Sequence, residues 1–142
     1  MLEREAEHRF VPIRGLRVVA TPAALDAARW IGGRSRTSEP VDVTVIRTAP
    51  DEAFAVDAVR VEIDDPDAVI EDEPGFVAGW CHLPALSARL EWPLTNDEAA
   101  VQQGALAGVP VKLWIADDDD NVIVITWAAY ADDLTARLGW RP

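Results

Sequence analysis

The chain is poor in the residues that catalysis and cross-linking most often use. Cys81 is its one cysteine, so no internal disulfide can form, and a lone thiol fits a reducing compartment. His8 and His82 are the only histidines, and no His/Cys set has metal-binding spacing. No apolar run approaches the ~18 residues of a membrane span. No Gly-rich loop is followed by Lys-Ser/Thr, and no nucleophile elbow occurs. The start, Met1 to His8, carries acids where a secretory signal needs a basic head and an apolar stretch. These absences predict a cytoplasmic protein without membrane contact, cofactor, metal or catalytic residues, and therefore not an enzyme. Lys112 is the only lysine beside twelve arginines, which with the many alanines points to a high-GC bacterium or its phage.

What is present is a long enough chain with a globular balance. A length of 142 residues predicts one domain, here 10–142, behind a frayed stretch 1–9. Hydrophobic residues make up 49% and charged residues 27%, enough of the former to bury a core. The net charge is −12, unevenly spread: residues 1–36 carry about +3 and the remainder about −15. Such a field repels nucleic-acid phosphates unless a local basic patch overrides it.

Hydrophobic periodicity predicts about six strands and three short helices in a β-rich α+β fold. Strands are expected at Phe10–Ala20, Val41–Ile46, Ala58–Ile63, Phe76–Leu83, Val109–Ala116 and Val122–Trp127. In the third, Val59, Val61 and Ile63 should face inward. Thr21-Pro22 is a helix start, and Gly32-Gly33 its stop. Thr95-Asn96-Asp97-Glu98 is a capping box opening a helix to about Ala105 or Leu106. A last helix covers about Ala131 to Leu138 and ends at Gly139. The acid-rich Glu62–Glu73 reads as a solvated excursion between strands, and Asp117-Asp118-Asp119-Asp120-Asn121 as a hairpin tip.

Each candidate site has a plain structural alternative. Cys81 and His82 are neighbours on a strand and point to opposite faces, which rules out a working pair. The Asp117–Asp120 run lacks the alternation, central glycine and distal glutamate of a calcium loop. Of the six tryptophans, Trp114 and Trp127 fit core or sheet-face packing; Trp92 before Pro93 and Trp140 before the tail could be exposed, with core packing the favoured reading for each. Arg29-Trp30-Ile31-Gly32-Gly33-Arg34-Ser35-Arg36 gathers cations, an aromatic face and flexible glycines. It suits a phosphate and a stacked base, although the arginine-favouring negative end of a helix is the favoured reading.

Pro50-Asp51-Glu52-Ala53-Phe54-Ala55-Val56-Asp57-Ala58-Val59-Arg60-Val61, the later Gly79-Trp80-Cys81-His82-Leu83-Pro84 and the earlier Gly15-Leu16-Arg17 together resemble the HIRAN domain over about residues 10–90. That family is a small β-rich module found with DNA-processing enzymes and alone in bacteria. The resemblance implies an OB-like barrel or curved sheet that binds single-stranded DNA at a free 3′ end. The family's polar sugar-binding residues correspond here to Glu52 and Ala55, and its stacking aromatics to Val18 and Val19. The implied nucleic-acid site is then Arg17, Phe54, Asp57 and Trp80, with Trp30, Arg34 and Arg36 added from the basic segment.

Two functions are therefore expected in competition. One is a HIRAN-like module for single-stranded DNA. The other is an acidic protein, such as an immunity protein, phage inhibitor or DNA mimic, that engages a basic protein. Its partner face would join Glu62, Asp64, Asp65, Asp67, Glu71, Asp72 and Glu73 with Asp117, Asp118, Asp119 and Asp120.

Overall fold

The computed structural model describes residues 8–33, 41–93, 101–115 and 121–140. The chain is β-rich α+β, as expected, with nine strands and three short helices among the described residues. It gathers into two compact units, one comprising Ile13–Pro74 and the other Leu2–Pro12 together with Gly75–Pro142. No helix among the described residues is long and apolar enough to cross a membrane.

In the first unit, β1 (Val11–Val19) is followed by α1 (Pro22–Ala27), β2 (Arg29–Gly32), β3 (Thr44–Ala49), β4 (Glu52–Val56), β5 (Ala58–Glu62) and the start of β6 (Val69–His82). β4 pairs antiparallel with β3 on one side and β1 on the other, with Arg17 opposite Phe54. The smaller pair β2–β5 sets Trp30 opposite Val61 and Arg29 opposite Glu62. The core here is Leu16, Val18, Leu25 and several buried alanines, with Trp30, Val61 and Ile63 packed against it. Small residues let backbones come close. A Cβ on Gly15 would meet the Ala55 carbonyl carbon at 2.8 Å, so any side chain there would push β1 off β4.

The second unit is built on β6, β9 (Asn121–Trp127), β8 (Val109–Ile115) and β7 (Val101–Leu106), antiparallel in that order. Cys81, Val122, Val124, Leu113, Val111 and Leu106 share one apolar cluster with Leu86 of α2 (Leu83–Leu86) and Leu134 of α3 (Ala131–Leu138). Cys81 is buried and His82 exposed, as strand alternation requires. Gly139 closes α3 in the left-handed conformation at φ 70°, and its N–H donates to the Ala136 carbonyl.

Several expectations need correction. The first helix stops at Ala27, not at Gly32-Gly33. Ala28 is extended at ψ 143°, and Arg29–Gly32 instead gains a strand partner in β5. Trp30 and Ile31 suit a strand, and tertiary pairing overrides a continuous helical pattern there. The expected helix toward Leu106 is contradicted over Val101–Leu106, which is β7. Its capping box at 95–98 lies outside the described residues. The turn Ala107-Gly108 has φ of 49° and 82°, the positive pair that a two-residue hairpin needs, so Gly108 ends a strand and not a helix. Val69–Glu73 belongs to β6 and is no loop; its acids mark exposure, not coil. β4 is a further strand hidden inside the Pro50–Val61 motif. Val59 is 64% exposed although expected inside. Among the tryptophans, Trp92 and Trp140 pack against the second unit's core, the reading favoured for each, and Trp127, though 46% exposed, stacks on the Phe76 ring. The tip Asp117–Asp120 lies outside the described residues.

Candidate functional site

Arg17 sits on β1 with its side chain about one-third exposed. Its guanidinium donates to Glu52 Oε2 at 3.1 Å and to Glu71 Oε2 at 3.5 Å. Glu52 is held in turn, because the Thr48 hydroxyl donates to its Oε1 at 3.0 Å. The Arg17 pKa is raised by the hydrogen bond and charge of Glu52 first; partial burial opposes this, and the charges of Glu71 and Glu73 add to it. One cation thus lies in the field of three carboxylates. A guanidinium committed in this way has its donors directed at carboxylate oxygens, and the local charge around it is negative.

The other residues of the implied nucleic-acid site are dispersed in role. Phe54 lies opposite Arg17 in register but is 3% exposed, which leaves its ring no face for a base. Asp57 is the sharp link between β4 and β5, at φ 69°. Its N–H donates to the Arg14 carbonyl at 2.8 Å, and its own carbonyl accepts from Gly33 N–H at 3.3 Å. Aspartate tolerates this left-handed position, so Asp57 has a backbone reason to stand here. Trp30 is half-buried against the first unit's core. Trp80 belongs to the second unit, on β6 opposite Ile123, and is half-buried. Arg34 and Arg36 lie outside the described residues.

The acids proposed for a partner face divide by role as well. Asp65 is structural: it accepts from the backbone N–H of Thr21 at 3.0 Å and of Asp67 at 2.9 Å. Glu62 faces Arg29 and Arg60, each at 3.8 Å. Asp64 and Asp67 are exposed on the turn, and Glu71 and Asp72 on β6. Asp72 and Glu73 also line a cleft of about 390 Å³ with Arg14, Asp57 and Val59. Directly before these acids come Val69 and Ile70, 46% and 47% exposed. This apolar pair adjoining the acids was missed in the sequence, where the acids alone drew attention. Among the described residues, no group of three or more His, Cys, Asp or Glu side chains is arranged to hold a metal ion.

No family model matches the chain, and no curated protein matches it. Among solved structures, the chain is similar in fold to a chain of the heterotetrameric sarcosine oxidase from Corynebacterium sp. U-96, solved in complex with pyrrole 2-carboxylate. The TM-score is 0.60 at 17% identity, covering 92% of this chain and 80% of that one.

Proposed function

We propose that this chain is a non-catalytic protein-interaction module whose first unit offers the strand segment Val69–Glu73 to a basic segment of a partner protein. The observation that carries this reading is the enclosure of Arg17 by Glu52, Glu71 and Glu73. A nucleic-acid site would need that guanidinium for phosphate, and a phosphate arriving there would meet three negative charges. A lysine- or arginine-rich segment meets the opposite field. Val69 and Ile70 supply apolar contact area beside the acids, an apolar centre with a charged rim being the usual make-up of a protein interface. The heterotetrameric setting of the structural neighbour is in keeping with a chain of this fold acting as one subunit among others.

The test is a pair of anisotropy titrations, one with a labelled arginine- and lysine-rich peptide and one with a labelled short single-stranded oligonucleotide. The expected result is salt-sensitive binding of the peptide, weakened in a Glu71→Gln/Glu73→Gln variant, and no binding of the oligonucleotide. Oligonucleotide binding that is lost when the 3′ end is blocked would replace this reading with the HIRAN-like one.

A further inference from the structure

In the first unit β1 is flanked by β4 and β6, and the Arg17 side chain reaches a carboxylate on each of these neighbours. Register accounts for the first contact. Val19 stands opposite Glu52 across β1–β4, and Arg17 is two residues from Val19, so Arg17 and Glu52 project from one face as diagonal neighbours. Glu71 comes from the other side, within the β6 segment assigned above to the partner's basic segment.

The two contacts are unequal. The Glu52 side chain is 28% exposed; its Oε2 accepts from Arg17 at 3.1 Å while its Oε1 accepts from the Thr48 hydroxyl at 3.0 Å. A carboxylate fixed through both oxygens is an anchor. The Glu71 side chain is 59% exposed and accepts from Arg17 at 3.5 Å, the outer limit of a hydrogen bond. Such an exposed, stretched ion pair is weak and exchanges readily. Arg17 is therefore held by Glu52 and only shared with Glu71.

From this asymmetry we infer that Arg17 is an internal competitor of the partner: its guanidinium engages Glu71 in the unbound chain, and an incoming arginine or lysine must take that carboxylate from it. The inference rests on the partner reading above and adds a residue that sets its selectivity. Exchange is possible without unfolding, because Arg17 keeps Glu52 when Glu71 turns to the partner. It also discriminates between partners. A segment with one isolated cation trades one exposed ion pair for another and gains little, so recognition favours segments that bring several cations together.

The test titrates a labelled hexapeptide of alternating arginine and lysine into the full-length chain and its Arg17→Gln, Glu71→Gln and double variants at low salt, read by fluorescence anisotropy. Nitrogen-15 correlation spectra first establish that each variant keeps the fold. Arg17→Gln should tighten peptide binding about 2- to 5-fold, the weight of an exposed ion pair. Glu71→Gln should weaken binding more in the Arg17→Gln background than in the wild type, because there the carboxylate is no longer shared. A merely long-range effect of the removed charge would instead leave the two losses equal. Peptide binding that Arg17→Gln leaves unchanged, or equal Glu71→Gln losses in both backgrounds, would overturn this inference and leave the partner reading standing. No peptide binding by either the wild type or Arg17→Gln would overturn both.

Discussion

Substituting alanine for Gly104 probes how tightly the second unit is packed. Gly104 lies on β7 opposite Val111, and the Trp92 indole lies flat across it. A Cβ built there would stand 2.5 Å from Trp92 Cδ2 and 3.0 Å from Cζ3, well inside ordinary contact. The ring is rigid, packed against the Leu106–Leu113 cluster, and its Nε1 donates to Gln102 at 3.4 Å, so it cannot swing aside freely. Overpacking of this kind costs about 1–3 kcal/mol. Alanine recovers about 0.5–1 kcal/mol because glycine loses more backbone freedom in a strand. The net expectation is a loss of about 0.5–2 kcal/mol, or roughly 2–8 °C in Tm for a chain of this length. Urea unfolding followed by far-ultraviolet circular dichroism reads the first figure and a thermal scan the second. The decisive comparison is the same substitution in a Trp92→Ala background, where the obstacle is gone. There Gly104→Ala should be neutral or stabilising, giving a coupling of about 1–3 kcal/mol across the cycle. A single variant as stable as the parent, or a penalty that persists without Trp92, refutes the packing described.

Two further outcomes follow from individual contacts. Gly139→Ala meets no steric obstacle but must hold φ near 70°, so it should cost about 1–2 kcal/mol of stability from backbone conformation alone, measured by urea unfolding. Arg17→Gln removes a cation that is about one-third exposed, so after solvent screening the loss should be below about 1 kcal/mol and should shrink further at high salt; a larger, salt-independent loss would contradict the surface character assigned to the cluster. Because the raised Arg17 pKa only extends its charged range upward, its contribution is complete below the ordinary guanidinium range and is lost as pH rises through the folded value. Urea midpoints of wild type and Arg17→Gln should therefore differ by a constant amount from pH 6 to about pH 10, where the guanidinium stays charged.

Local chemistry makes some elements legible in the sequence. The β8–β9 pair and α3 with its Gly139 cap lie close to their expected positions, because clean alternation and a left-handed glycine are local signals. β7 was unreadable for the opposite reason. Ala107-Gly108 looks like a helix stop until the two positive φ values identify a hairpin turn, and Ala is an uncommon residue at the first of them. β2 depends on its partner β5: Trp30 and Ile31 suit a strand, but four residues directly after a helix carry too little pattern to separate them from it. The acids of β6 were visible as a charge run, yet their direction was not. Whether Arg17 faces phosphate or carboxylate depends on register between segments that are 35 and 54 residues apart in sequence, which no local pattern encodes.

The most direct measurement of the central claim is a nitrogen-15 correlation map of the full chain titrated in parallel with the basic peptide and the single-stranded oligonucleotide. Peptide-induced shifts should concentrate at Val69–Glu73 and around Arg17, fade as salt is raised, and have no counterpart with the oligonucleotide. Shifts around Arg17 produced by the oligonucleotide, or a peptide that leaves Val69–Glu73 unmoved, would contradict it.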